Sequence, residues 1–232
     1  VISEKQLAKL AGFWTRVAPL IEGFVRLVNS DLIVAEYDEL ESVVPPTRRA
    51  FVNELAYDIY CDHRDTLEIG ELPLAALAKN VALRLARLDG LPPPPDGAGV
   101  DLTEAREAVD LSSRLRQIVS TIGGDVVVRP TFRGCGFLSE ATADLIVGDC
   151  LVEVKAGKRS FRGEDVRQVL AYLALNHAAQ GIAIERVALV NPRMGTYTIL
   201  SVSTLALRVA TTSHDELFNR IIYALTSGTP SR

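Results

Sequence analysis

Ala141-Thr-Ala-Asp144-Leu-Ile-Val-Gly148-Asp149-Cys-Leu-Val-Glu153-Val-Lys155 decides how this chain is read. Two apolar runs, Ala141 to Val147 and Cys150 to Lys155, are separated only by Gly148-Asp149, the composition of a two-residue hairpin turn. Pairing across that turn opposes Val147 to Cys150, Ile146 to Leu151, Leu145 to Val152 and Asp144 to Glu153. Opposed residues share a face with Cβ atoms about 5 Å apart, and Lys155, two residues beyond Glu153, joins that face. Two carboxylates and an ammonium are thus expected together. The other face, Leu145, Val147, Val152 and Val154, is wholly hydrophobic, and strands apolar on both sides are normally buried. An exposed Glu–Lys pair, worth under about 1 kcal/mol, would suit an alternating, charged hairpin better than this one.

Adjacent carboxylates repel, and burial enlarges the repulsion, so one of them holds a proton unless a cation intervenes. A divalent metal resolves the conflict. Hard oxygen sites of this kind suit Mg²⁺ or Mn²⁺, which keep several waters and take one or two carboxylates plus a phosphate oxygen. Such an ion polarises a phosphodiester and offsets its developing charge. Asp144 and Glu153 are therefore the candidate metal ligands. Lys155 is the candidate for orienting water or touching the phosphate, and it stays protonated beside two carboxylates unless the metal weakens that stabilisation.

Outward from the hairpin, Leu102 to Ile122 reads as an amphipathic helix closed by Gly123-Gly124, and Asp125 to Arg129 as a short β-branched strand. A helix over about Glu164 to Ala179 follows, then strands Arg186 to Val190 and Thr196 to Val202. A last helix opens at a capping box, Ser213 with Glu216, and runs to about Leu225. The order is α-β-β-β-α-β-β-α, an α/β fold.

Asp144, eight residues, then Glu153-Val-Lys155 resembles the signature of the PD-(D/E)XK nuclease superfamily, and Gln168-Val-Leu-Ala-Tyr172 is similar to the QxxxY element of its RecB-like branch. The position of the family's proline holds Thr142-Ala143. The resemblance spans about residues 102 to 202. It implies a restriction-endonuclease-like αβββαβ core with a mixed sheet and Mg²⁺-dependent hydrolysis of DNA, endonucleolytic by preference, in restriction, phage defence or repair. It also implies that Asp144 and Glu153 bind metal, that Lys155 assists the attacking water, and that Gln168 and Tyr172, one helical turn apart, lie beside the site. Many such sites add an acid from the preceding helix, for which Glu107 and Glu104 are candidates, and Glu140, four residues before Asp144, is another. The alternatives are an RNA nuclease and a catalytically silent nucleic-acid-binding or assembly module that kept the fold.

The loop from Lys155 to Arg167 carries five basic residues against two acidic ones, and Lys158, Arg159 and Arg162, with Tyr172, are the expected nucleic-acid contacts. Arg129, Arg133 and Gly134-Cys135-Gly136 precede the hairpin, where the glycines permit either close approach of a strand or a tight turn.

The chain has 232 residues, 48% hydrophobic and 23% charged, which excludes a disordered segment. Three unpaired-looking cysteines exclude a disulfide framework, and no GxxxxGK loop is present for ATP hydrolysis. Glu4, Lys5 and Lys9 stand where a secretory signal needs an apolar run, and no 18-residue apolar stretch exists, so a cytoplasmic protein without membrane contact is expected. Four prolines within Asp89 to Gly99 suggest a linker over residues 91–101 between a mostly helical region, 1–90, and the catalytic domain, 102–232. Residues 1–100 hold 10 basic and 15 acidic side chains, against 15 and 14 in the remainder. This acidic region is expected to bind a target or protein partner rather than wrap DNA. The oligomeric state is open, a homodimer included.

Overall fold

A computed structural model describes residues 1–63, 68–89 and 99–227, the side chains of residues 88 and 89 excepted. The proline run of the expected linker lies outside the described residues. The fold is α/β, with a mixed six-stranded sheet and a helical N-terminal region.

Apolar spacing from Leu7 to Val28 is realised as three short helices, α1 (Glu4–Ala8), α2 (Ala11–Val17) and α3 (Ile21–Leu27). Pro19 accounts for the second break: its ring disfavours helical backbone at the preceding residue, and Ala18 leaves the helical region at φ −145°, ψ 69°. After β1 (Val34–Ala35) come α4 (Arg49–His63) and α5 (Leu74–Asp89). Helix α6 (Leu102–Ile122) starts at a reciprocal cap. The Asp101 carboxylate accepts from the Glu104 amide at 2.8 Å, and that of Glu104 accepts from the Asp101 amide at 3.2 Å.

The central hairpin has the expected register. β5 (Leu145–Val147) and β6 (Cys150–Val154) pair Leu145 with Val152, Ile146 with Leu151 and Val147 with Cys150. Gly148 supplies the turn with φ +58°, a conformation glycine adopts without a Cβ penalty. β2 (Val126–Val128) flanks β5, and β6 runs parallel to β7 (Arg186–Asn191), which pairs with β8 (Thr196–Ser201) and through it with β1. Helix α7 (Gly163–Ala178) crosses between the two parallel strands.

Three features depart from the sequence expectation. Ala141 to Val147 is not one strand: β4 (Ala141–Thr142) pairs with β3 (Thr131–Phe132) in a separate two-stranded sheet, and the chain re-enters the large sheet only at Leu145. Beyond β8, Val202 does not extend the strand but opens a further helix, α8 (Val202–Ala210), because the Ser201 hydroxyl caps the Thr204 amide at 3.0 Å. The last helix, α9 (His214–Ser227), has half of its expected box: Ser213 caps the Glu216 amide at 3.3 Å, while the Glu216 carboxylate accepts from Thr212 and pairs with Arg220.

Each face of the sheet buries a different set of helices. Ile146, Leu151 and Leu189 pack against α7, together with Leu7, Trp14, Ile21 and Phe24 from α1 to α3. Leu145, Val147, Val152 and Val190 pack against α6 and Tyr60 of α4. A further cluster joins α4 and α5 to Ala108 and Leu111 of α6. The composition boundary near residue 90 is therefore not a boundary between cores: α1 to α3 complete one face of the sheet, and Val34–Ala35 extend its edge. Of the three free cysteines only Cys150 is fully buried. Among the described residues no helix is long and apolar enough to cross a membrane.

Candidate active site

At the end of β6 the two faces meet in an open cavity of about 510 Å³ that contains Asp144, Glu153, Lys155, Gln168 and Tyr172. The broken strand creates the position of Asp144. Its carbonyl accepts from the Arg129 amide at 2.9 Å and from the Tyr57 hydroxyl at 2.6 Å, so its backbone is pinned at the junction of the two sheets. Its carboxylate turns onto the neighbouring strand, where Oδ2 accepts from the Val154 amide at 2.7 Å.

Glu153 is 2% exposed. Lys155 Nζ donates to its Oε1, while Oε2 is buried with no hydrogen-bond partner among the described residues. Burial, and next the Asp144 charge, lift the Glu153 carboxyl to about 8, and burial also raises that of Asp144. Burial opposes the Lys155 ammonium, but Glu153, Asp144 and Asp165 outweigh it and hold its pKa above the ordinary lysine value.

Helix α7 supplies the support. Lys155 Nζ donates to Gln168 Oε1 at 3.0 Å, Gln168 Nε2 donates to the Tyr172 hydroxyl at 2.8 Å, and that hydroxyl donates to the Thr142 carbonyl at 3.2 Å. Lysine has only donors, so it fixes the amide with oxygen toward Nζ. Asp165, buried, stands 3.8 Å from Lys155 Nζ and accepts both terminal nitrogens of Arg159 at 2.7 and 2.8 Å.

The expected residues divide accordingly. Asp144, Glu153, Lys155 and Gln168 are brought together. Tyr172, expected as a nucleic-acid contact, is 1% exposed with its hydroxyl engaged inside the protein, so its place is beneath Gln168. Arg159 lines the cavity but is tied to Asp165, Lys158 pairs with Glu39 at 2.6 Å outside it, and Arg162 is exposed ahead of α7. None of the three proposed extra acids reaches the cavity. Glu107 is buried against Arg193 at 2.8 Å and accepts from Ser42, Glu104 pairs with Arg48, and Glu140 is exposed.

Sequence reasoning missed the walls. Asn53, Glu54 and Tyr57 of α4, Arg84 of α5 and Lys5 of α1 all line the cavity, beside Arg129, which the sequence places just ahead of the hairpin. The helical spacing of Asn53, Glu54 and Tyr57 is visible as a polar stripe, but only the tertiary fold shows which way it faces.

The donor set fits a divalent cation. An orphaned carboxyl oxygen, Glu153 Oε2, shares the cavity with a second carboxylate, and a metal would offset the burial that raises both pKa values and the Asp144 charge that adds to it at Glu153. Among the described residues no group of three or more His, Cys, Asp or Glu is placed to hold a metal, so the protein would offer two carboxylates and leave other positions to water or substrate. The sequence matches none of the known protein-family models and none of the curated proteins.

Proposed function

We propose that the chain is a Mg²⁺- or Mn²⁺-dependent nuclease that hydrolyses DNA phosphodiester bonds, with Asp144 and Glu153 as metal ligands and Lys155 and Gln168 completing the catalytic set. The observation that carries the reading is Glu153 Oε2, a buried carboxyl oxygen without a hydrogen-bond partner among the described residues, in a cavity that also holds Asp144 and Lys155. With β3 and β4 set apart in their own two-stranded sheet, the remaining order α6, β2, β5, β6, α7, β7 supports a restriction-endonuclease-like αβββαβ core.

A bound divalent ion would polarise the scissile phosphate and offset its charge. The protein's own groups do the rest. Lys155, protonated and oriented by Gln168, donates a hydrogen bond to the phosphate or to the attacking water. Tyr172 holds Gln168 in turn, and the Val154 amide anchors the Asp144 carboxylate at the end of β6. Cleavage of supercoiled and linear DNA in Mg²⁺, against excess EDTA, tests the reading. Metal-dependent products that disappear in Asp144→Asn and Glu153→Gln are expected; full activity in EDTA, or an unaffected Glu153→Gln protein, overturns it. RNA as a parallel substrate distinguishes the polymer.

A further inference from the structure

Resting on that reading, we infer that helices α1 and α5 carry substrate-phosphate contacts, with Lys5 and Arg84 gripping the nucleic-acid backbone on opposite sides of the scissile bond. The two residues reach the same cavity from opposite faces of the sheet. Helix α1 sits on the α7 side, where Leu7 joins the core and the Ala8 carbonyl accepts from Arg167 at 3.3 Å. Helix α5 sits on the α6 side, packed with α4. A strand crossing the end of β6 between Asp144 and Glu153 therefore passes from one helix to the other.

The charges suit an anion there. Five cationic and four acidic side chains line the cavity, and a divalent ion would cancel the charge of the two acids at its base. Among the described residues, Lys5 is the lining cation that forms no ion pair; it is exposed, and its charge acts on the Asp144 carboxylate without contacting it. An unpaired ammonium beside a phosphodiester site is free to take a phosphate. Arg84 is prearranged instead. Its Nη2 donates to Glu54 and to the buried Asp58, each at 3.0 Å, which leaves Nε and Nη1 without a partner among the described residues. Asp58 also accepts from Arg129 at 2.7 Å, so one buried carboxylate fixes two guanidinium groups at the cavity wall.

The test is the salt dependence of binding of a short fluorescent single-stranded DNA to the full chain, with Ca²⁺ replacing Mg²⁺. Lys5→Gln and Arg84→Gln should each weaken binding and flatten the plot of log affinity against log salt by about 0.7, the value for one lost single-strand contact. Arg84→Lys, which keeps the charge, should retain the slope, and so should Lys9→Gln, at the C-cap of the same helix but outside the cavity. Melting curves identify any variant that fails to fold, and Lys5, exposed on a short helix, decides the matter if Arg84→Gln does. A wild-type protein that cleaves DNA while Lys5→Gln keeps its slope overturns this inference and leaves the nuclease reading standing. A wild type that neither binds nor cleaves overturns both.

Discussion

Gln168 stands between Lys155 and Tyr172, accepting from the ammonium at 3.0 Å and donating to the phenol at 2.8 Å. A side chain so held acts on the reaction through the lysine it orients. Gln168→Ala should therefore lower turnover on the order of 10–100-fold, the usual cost of losing an orienting partner, with little change in DNA affinity. Tyr172→Phe removes the far end of the chain and should cost about 1 kcal/mol of stability with a smaller loss of turnover. Equal losses in binding and turnover for Gln168→Ala would contradict this role.

The carboxyl pair makes metal-free stability depend on pH. Glu153 has a folded pKa raised above its unfolded value, so its contribution is fully present below about 4.5 and is lost as pH rises through about 8. Relative to Glu153→Gln, the metal-free wild type should thus lose stability between pH 5 and 9, by about 1.4 kcal/mol for each unit of raised pKa. Added Mn²⁺ should restore the wild type and not the variant. Paired thermal melts at several pH values check this, and parallel curves for the two proteins would contradict it.

Asp144, Glu153 and Lys155 serve one step, so their losses should not add. Asp144→Ala, Glu153→Ala and Lys155→Ala should each abolish most cleavage, and the double carboxylate variant should be little worse than either single one. Single-turnover rates would show multiplicative losses if the residues worked independently.

The basic loop divides by partner. Lys158 and Arg162 are exposed, and neutralising each should flatten the salt dependence of duplex binding by up to about 0.9. Arg159→Gln should act differently, since it strips the buried Asp165 of its bidentate partner beside Lys155. Its expected signature is a lower melting temperature and a lower turnover.

Residues before 90 were legible as helices but not as parts of the site. The hairpin could be read to single-residue register because apolar alternation and a Gly-Asp turn fix pairing locally. The break at Asp144 could not, since it depends on β3, whose last residue, Phe132, lies twelve residues upstream. Nor could the true partners of Glu107, because Arg193 lies far along the chain and only folding sets them 2.8 Å apart. The proline-rich segment suggested a division that the core does not respect: Trp14 is buried against the α7 side and donates its indole N–H to the Leu7 carbonyl at 2.8 Å.

A fragment beginning near Gly99 should accordingly fail to melt cooperatively, since it exposes the sheet face that α1 to α3 cover. In the full chain, Trp14→Ala should cost about 3–5 kcal/mol. A soluble fragment with a sharp thermal transition would contradict the shared core.

The most direct measurement is anomalous scattering from crystals soaked in Mn²⁺. A peak bonded to both Asp144 and Glu153 Oε2, with Lys155 displaced from Glu153 or retained on Oε1 alone, and absent from Glu153→Gln crystals, is the predicted result. Saturating Mn²⁺ that leaves this position without a peak, in crystals of a protein that cleaves DNA, would contradict the assignment of the carboxylate pair as the metal centre.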